Sequence, residues 1–139
     1  MSSITSKFEA RRTEVTKDIV FNVELLANIK SLREVQINVL SLRQRLLEDN
    51  HTLLDHMTTL RKEYRSRRAI ELDNISKNLQ LRYQPTEKVI ILDGKTTGTK
   101  HLIEIFENQI AFFVGSIKTV DNIIFAIKTR LDIDRALSL

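Results

Sequence analysis

Residues 103–131 read IEIFENQIAFFVGSIKTVDNIIFAIKTRL, and this stretch decides the fold. Ile103, Ile110, Ile117, Ile124 and Leu131 recur every seven residues, and Phe106, Phe113, Val120 and Ile127 each follow one of the first four by three. That is an a/d seam held over four heptads, the mark of a helix packed against other helices along its length. Isoleucine at a with bulky residues at d favours more than two strands. These residues therefore predict an oligomerisation helix over 100–137. Gly115 costs about 1 kcal/mol against alanine in a helix, and reads as a close approach of a neighbouring backbone.

A second repeat lies upstream. Leu25, Leu32, Val39, Leu46, Leu53 and Leu60 are seven apart, with Leu26, Ile29, Val35, Leu40, Leu42, Leu47, Leu54 and Met57 widening the stripe. Asn22 reads as an N-cap, with Glu24 in the first turn where the helix dipole favours an acid. No glycine or proline interrupts residues 22–84. The pattern predicts a central helix over 22–66, roughly 65 Å long at 1.5 Å per residue. The rest of so small a chain cannot cover it, so part of its stripe is expected to meet another helix or subunit.

Shorter elements fill the gaps. Ser6 and Glu9 have capping-box spacing and predict a short helix over 6–18, fading before the β-favouring run Ile19-Val20-Phe21. Leu79, Leu81 and Tyr83 alternate with polar residues, Gln84-Pro85-Thr86-Glu87 reads as a turn, and Val89-Ile90-Ile91-Leu92 follows. These predict a small β-hairpin over 79–92, which alone would be marginal. Gly98-Thr99 then introduces the last helix. The expected fold is mostly α, a single domain over 1–139.

Composition supports this. Apolar residues make up 42% of 139, and there are only 3 glycines, 1 proline and no cysteine. Disulfides, thiolate catalysis and cysteine zinc sites are excluded. The longest unbroken apolar runs are about five residues, against roughly 20 for a membrane span, so a cytoplasmic protein without a membrane partner is expected.

The net charge of +4 is localised. Residues 61–68, Arg-Lys-Glu-Tyr-Arg-Ser-Arg-Arg, carry five basic residues against one acid, and the rest of the chain balances at 17 and 17. On a helix Arg61, Arg65 and Arg68 share a face, with Lys62 one residue round and Tyr64 among them. A cationic track with an aromatic platform suits single-stranded nucleic acid: phosphate contacts supply affinity, and stacking tolerates any base. The same run also suits a solvated helix end.

Catalytic patterns are weak. Gly94-Lys95-Thr96-Thr97 resembles the end of a phosphate-binding loop, but Val89 stands where the first glycine is needed, so it reads as a solvated turn. Glu48, Asp49, His51, Asp55 and His56 crowd one stretch, and His51 and Asp55, four apart, share a helical face, but a metal site needs three or four converging ligands, so these read as polar faces of an exposed helix. No nucleophile-base arrangement occurs. No enzyme, cofactor or metal site is expected.

Three segments together resemble the UvsY-type recombination mediators of tailed bacteriophages, in order and at similar spacing. They are Lys17-Asp18-Ile19, then Leu60-Arg61-Lys62-Glu63-Tyr64-Arg65-Ser66-Arg67, then Phe125-Ala126-Ile127-Lys128 followed by Asp134-Arg135-Ala136-Leu137. The family's second segment usually has two tyrosines and a glycine; this chain has one tyrosine and no glycine there, so its helix is expected to run on. The resemblance implies a ring-like homo-oligomer that binds single-stranded DNA, loads a RecA-like recombinase and displaces single-strand-binding protein in the host cytoplasm. Arg61, Lys62, Tyr64, Arg65, Arg67 and Arg68 would contact DNA. The alternative is a coiled-coil structural or adaptor protein, such as a virion or scaffold component, with no nucleic-acid affinity.

Overall fold

The computed structural model describes residues 2–77 and 83–138. They form three α-helices and no strand: α1 (Ser2–Leu25), α2 (Leu32–Lys77) and α3 (Pro85–Ser138), with one 3-10 turn at Ile29–Ser31. The mostly-α expectation holds. The chain packs as two compact units, unit 1 (Met1–Thr52 with Gln109–Leu139) and unit 2 (Leu53–Asn108).

Unit 1 is a three-helix bundle. Its core is Val15 from α1, Leu32, Val35, Val39, Leu42 and Leu46 from α2, and Phe113, Val120, Ile123 and Ile127 from α3, all buried. Each such side chain contributes about 1.5–3 kcal/mol on burial. Polar ties join the helices: Arg11 Nε and Nη2 donate to Asp49 Oδ2 at 3.1 and 2.6 Å, and Arg43 Nε to Asp121 Oδ1 at 2.6 Å. Burial, the largest single influence on the Arg11 guanidinium, pulls its pKa down. Its hydrogen bonds to Asp49 and Glu14 outweigh that and hold it above the usual arginine value.

The first helix is longer than the 6–18 expected. It starts at Ser2, so Ser6 lies inside it rather than capping it, and it continues through Ile19-Val20-Phe21. Ile4, Phe8, Arg11, Val15, Ile19, Asn22 and Leu25 recur at three- and four-residue steps, and all are buried or half-buried. That continuous face overrides the β preference of the short run.

The chain reverses at Leu26–Asn28, six residues later than the Asn22 cap predicts. Asn22 is 5% exposed within α1, its amide donating to Asp18 O at 2.8 Å. The capping residue is Asn28, extended at φ −106° and ψ 112°, whose side-chain oxygen accepts from the Lys30 amide at 3.0 Å. The two asparagines compete on equal sequence terms, and packing of α1 selects the second.

Unit 2 pairs the rest of α2 with the start of α3. Arg61 meets Glu107 and Arg68 meets Asp93, so the two segments run antiparallel. Leu53, Met57, Ile75, Leu92, Ile103 and Phe106 are buried between them. Of the expected hairpin, 79–82 lie outside the described residues, and 89–92 are helix rather than strand. Pro85, favoured in a first helical turn, opens α3, with Glu87 beside it. The Gly94–Thr97 turn is likewise replaced by helix: Thr96 and Thr97 hydroxyls donate to the carbonyls of Leu92 and Asp93, four residues back, at 2.8 and 2.6 Å.

Within the subunit no neighbouring backbone approaches Gly115 closely. A Cβ built on it, or on Gly94 or Gly98, meets nothing within 4 Å. Also in α3, one 18-residue window reaches a mean hydropathy of 1.7 with 28% of it buried, long and apolar enough by length and composition to cross a membrane. Counting unbroken apolar runs misses this, because isolated polar residues interrupt a stretch that is apolar on more than one face.

Candidate nucleic-acid interface

The basic segment 61–68 lies on α2 in unit 2, and the helix runs through it to Lys77. Its placement follows from the seam. After Leu53 and Met57 the inward steps of three and four residues fall on Leu60, Tyr64, Arg68, Glu71 and Ile75. The apolar repeat lapses at Arg67 because Arg68 takes the inward position. α3 supplies matching charges: Arg68 Nη1 lies 2.7 Å from Asp93 Oδ1, and Lys95 Nζ 3.2 Å from Glu71 Oε2. Arg61 Nη2 lies 3.3 Å from Glu107 Oε1.

These pairings divide the six residues expected at the interface. Arg68, a third exposed, is committed to Asp93 and also donates to Tyr64 Oη at 3.4 Å. The Asp93 hydrogen bond, chiefly, raises the Arg68 pKa above the usual arginine value. Tyr64 is half-buried on the inward face, not splayed outward as a stacking platform. Arg61 is exposed but paired. Lys62, Arg65 and Arg67 are exposed and form no ion pair among the described residues. Lys62 and Arg65 lie about 60° apart round the helix at 3.6 residues per turn, and Arg67 is on the other flank. The predicted Arg61/Arg65/Arg68 face is therefore split, with only Arg65 free.

Sequence reading missed the acids Asp93 and Glu107 and the Lys95–Glu71 pair. Their signal was present: charged residues on α3 beside the seam, opposite a basic run on the preceding helix.

The nine assembly residues also divide. Phe113, Val120 and Ile127 are at most 1% exposed inside unit 1, and Ile103 and Phe106 are buried in unit 2. Ile110, Ile117, Ile124 and Leu131 are half-buried and, seven apart, line one stripe of α3. Val114 and Phe125 are exposed near that stripe, Phe125 at 72%.

The acidic and histidine stretch on α2 has other duties. Asp49 binds Arg11, Glu48 accepts from Gln44, and the His56 ring lies 6.0 Å from Phe106. Among the described residues no three His, Asp or Glu side chains are grouped to hold a metal. Comparison with known proteins finds no matching family, no matching curated protein and no matching solved structure.

Proposed function

We propose that this chain is a non-enzymatic recombination mediator. It binds single-stranded DNA, promotes loading of a RecA-like recombinase and displaces single-strand-binding protein, acting in the host cytoplasm as a homo-oligomer of more than two subunits. The observation that carries this reading is the clustering of free cations in the basic segment: Lys62, Arg65 and Arg67, within six residues of one another on α2, are exposed and have no carboxylate partner among the described residues, while Arg61 and Arg68 are paired to α3. Free cations on a rigid helix are what sequence-independent phosphate contact requires. The ordered resemblance to UvsY-type mediators supports the same reading.

Assembly uses the half-buried stripe of Ile110, Ile117, Ile124 and Leu131, with Phe125 beside it. Phe113, Val120 and Ile127 support that stripe from inside the subunit. Three cations per subunit make a weak site, and a ring of subunits multiplies it through effective concentration. Light scattering on the full chain with and without oligo-dT tests both parts. An oligomer that gains the mass of bound strand is expected; a stable monomer with no DNA-dependent change contradicts the proposal.

A structural or adaptor coiled coil is the second reading. The Arg61–Glu107 and Arg68–Asp93 pairs favour it, since they use two of the six residues to hold α2 to α3. It predicts the same oligomer with no change on adding DNA.

A further inference from the structure

We propose that unit 1 carries a separate anion site, a groove between the start of α2 and the end of α3 that binds the phosphate of a nucleotide. The groove has a volume of about 600 Å³ and is lined by Lys30, Arg33 and Ile37 on one side and Leu131, Asp134 and Arg135 on the other. That size lies within the roughly 300–1,000 Å³ typical of small-ligand sites. Three cations and one carboxylate line it. Lys30, Arg33 and Arg135 form no ion pair among the described residues, as is also true of Arg12, Arg45 and Arg130; what sets the three apart is that they line one groove.

Three cations brought from two ends of the sequence onto one concave surface outnumber its single carboxylate, Asp134, so the groove carries net positive charge. A bound anion offsets that charge. Two guanidinium forks match the oxygens of a phosphate, and a lysine adds a point charge. Ile37, 69% exposed, and the half-buried Leu131 give the groove an apolar wall, suited to the sugar or base that a phosphate ester carries. The ligand is therefore a phosphate ester with a flat or apolar group, either a free nucleotide or one unit of a strand. The site shares no residue with segment 61–68 and stands whether or not that segment binds DNA.

The test is calorimetric titration of the full chain with dTMP, thymidine and inorganic phosphate, alongside anisotropy with labelled oligo-dT. Both are repeated on Arg33→Ala/Arg135→Ala and on Lys62→Ala/Arg65→Ala/Arg67→Ala. Both arginines are exposed, so the double variant keeps its helical circular dichroism. Saturable dTMP binding is expected, competed by phosphate, with thymidine at least tenfold weaker. The double variant loses about tenfold or more per guanidinium removed, the loss of a charge-assisted hydrogen bond, and the triple variant binds dTMP as the wild type does. A parallel loss of oligo-dT affinity in the double variant assigns the site to a strand, and its retention assigns the site to a free nucleotide. No saturation by dTMP at millimolar concentration, equal binding of thymidine, or wild-type dTMP affinity in the double variant overturns the proposal.

Discussion

Units 1 and 2 draw on the same two long helices, yet they close their seams with different chemistry. In unit 1, α1 supplies a third wall, and the inward steps of α2 from Leu32 to Leu46 are all aliphatic. In unit 2 only two helices meet, and the inward steps pass through Leu60, Tyr64, Arg68 and Glu71 before Ile75 is buried. A pair of helices leaves both flanks of its seam near water, so long polar side chains can reach a partner there without full desolvation. A three-helix core excludes water, and an unpaired charge in it is costly. The difference explains where the basic segment sits: at the level of α2 where the seam is too thin to be wholly apolar.

The largest expected effect tests the unit 1 core. Phe113→Ala removes a side chain 1% exposed and is expected to destabilise by about 3–5 kcal/mol in denaturant unfolding. Ile75→Ala, on the thinner seam, falls near the low end of the 2–5 kcal/mol range for such truncations, about 2 kcal/mol. Equal losses would erase the contrast. Native-state hydrogen exchange sharpens it: amides of residues 53–77 and 85–108 are expected to open at lower free energy than those of 32–52 and 109–127.

Smaller effects separate helix from turn. Gly94→Ala, Gly98→Ala and Gly115→Ala each meet open space on a helix and are expected to stabilise by about 0.4–1 kcal/mol, read as a rise in Tm. Destabilisation at residues 94 and 98 would restore the turn that the sequence suggested. Smallest of all, a double-mutant cycle on Arg61 and Glu107, both half exposed, should return about 0.2–1 kcal/mol and shrink with salt.

The long helices were legible because their stripes repeat every seven residues, and Leu32, Val39, Leu46, Phe113, Val120 and Ile127 are buried as that repeat requires. Boundaries were less so. Asn22 and Asn28 offer the same capping chemistry, and only the face running from Ile4 to Leu25 shows that the first helix must reach the second of them. Val89–Leu92 carries strong β preference, but Leu92 is 3% exposed on a helical seam whose period continues to Thr96, Ile103 and Phe106. Steps of three and four residues, not the unbroken apolar run, were the reliable sign.

The basic segment was found by charge count, but charge count does not show direction. Arg61 and Arg68 are indistinguishable from Arg65 in sequence; they differ only because Glu107 and Asp93 stand opposite on α3. Tyr64 stood out as the one aromatic in the run, and its position on the inward face is fixed by its spacing from Leu53, Met57 and Leu60. From Ile110 onward the a positions of the C-terminal repeat are half-buried, while Ile103 and the d positions are buried, a division that a heptad pattern cannot express because it does not say which helix fills the holes.

The most direct test of the central claim is the affinity of the full chain for labelled oligo-dT across a salt series, for wild type and Lys62→Ala/Arg65→Ala/Arg67→Ala. Strong salt dependence is expected in the wild type. In the triple variant binding is expected to weaken and the log–log slope to become shallower by about 2, since each phosphate that a cation neutralises on a single strand adds roughly 0.7 to the slope. Unchanged affinity in the triple variant, or binding indifferent to salt, would contradict that claim.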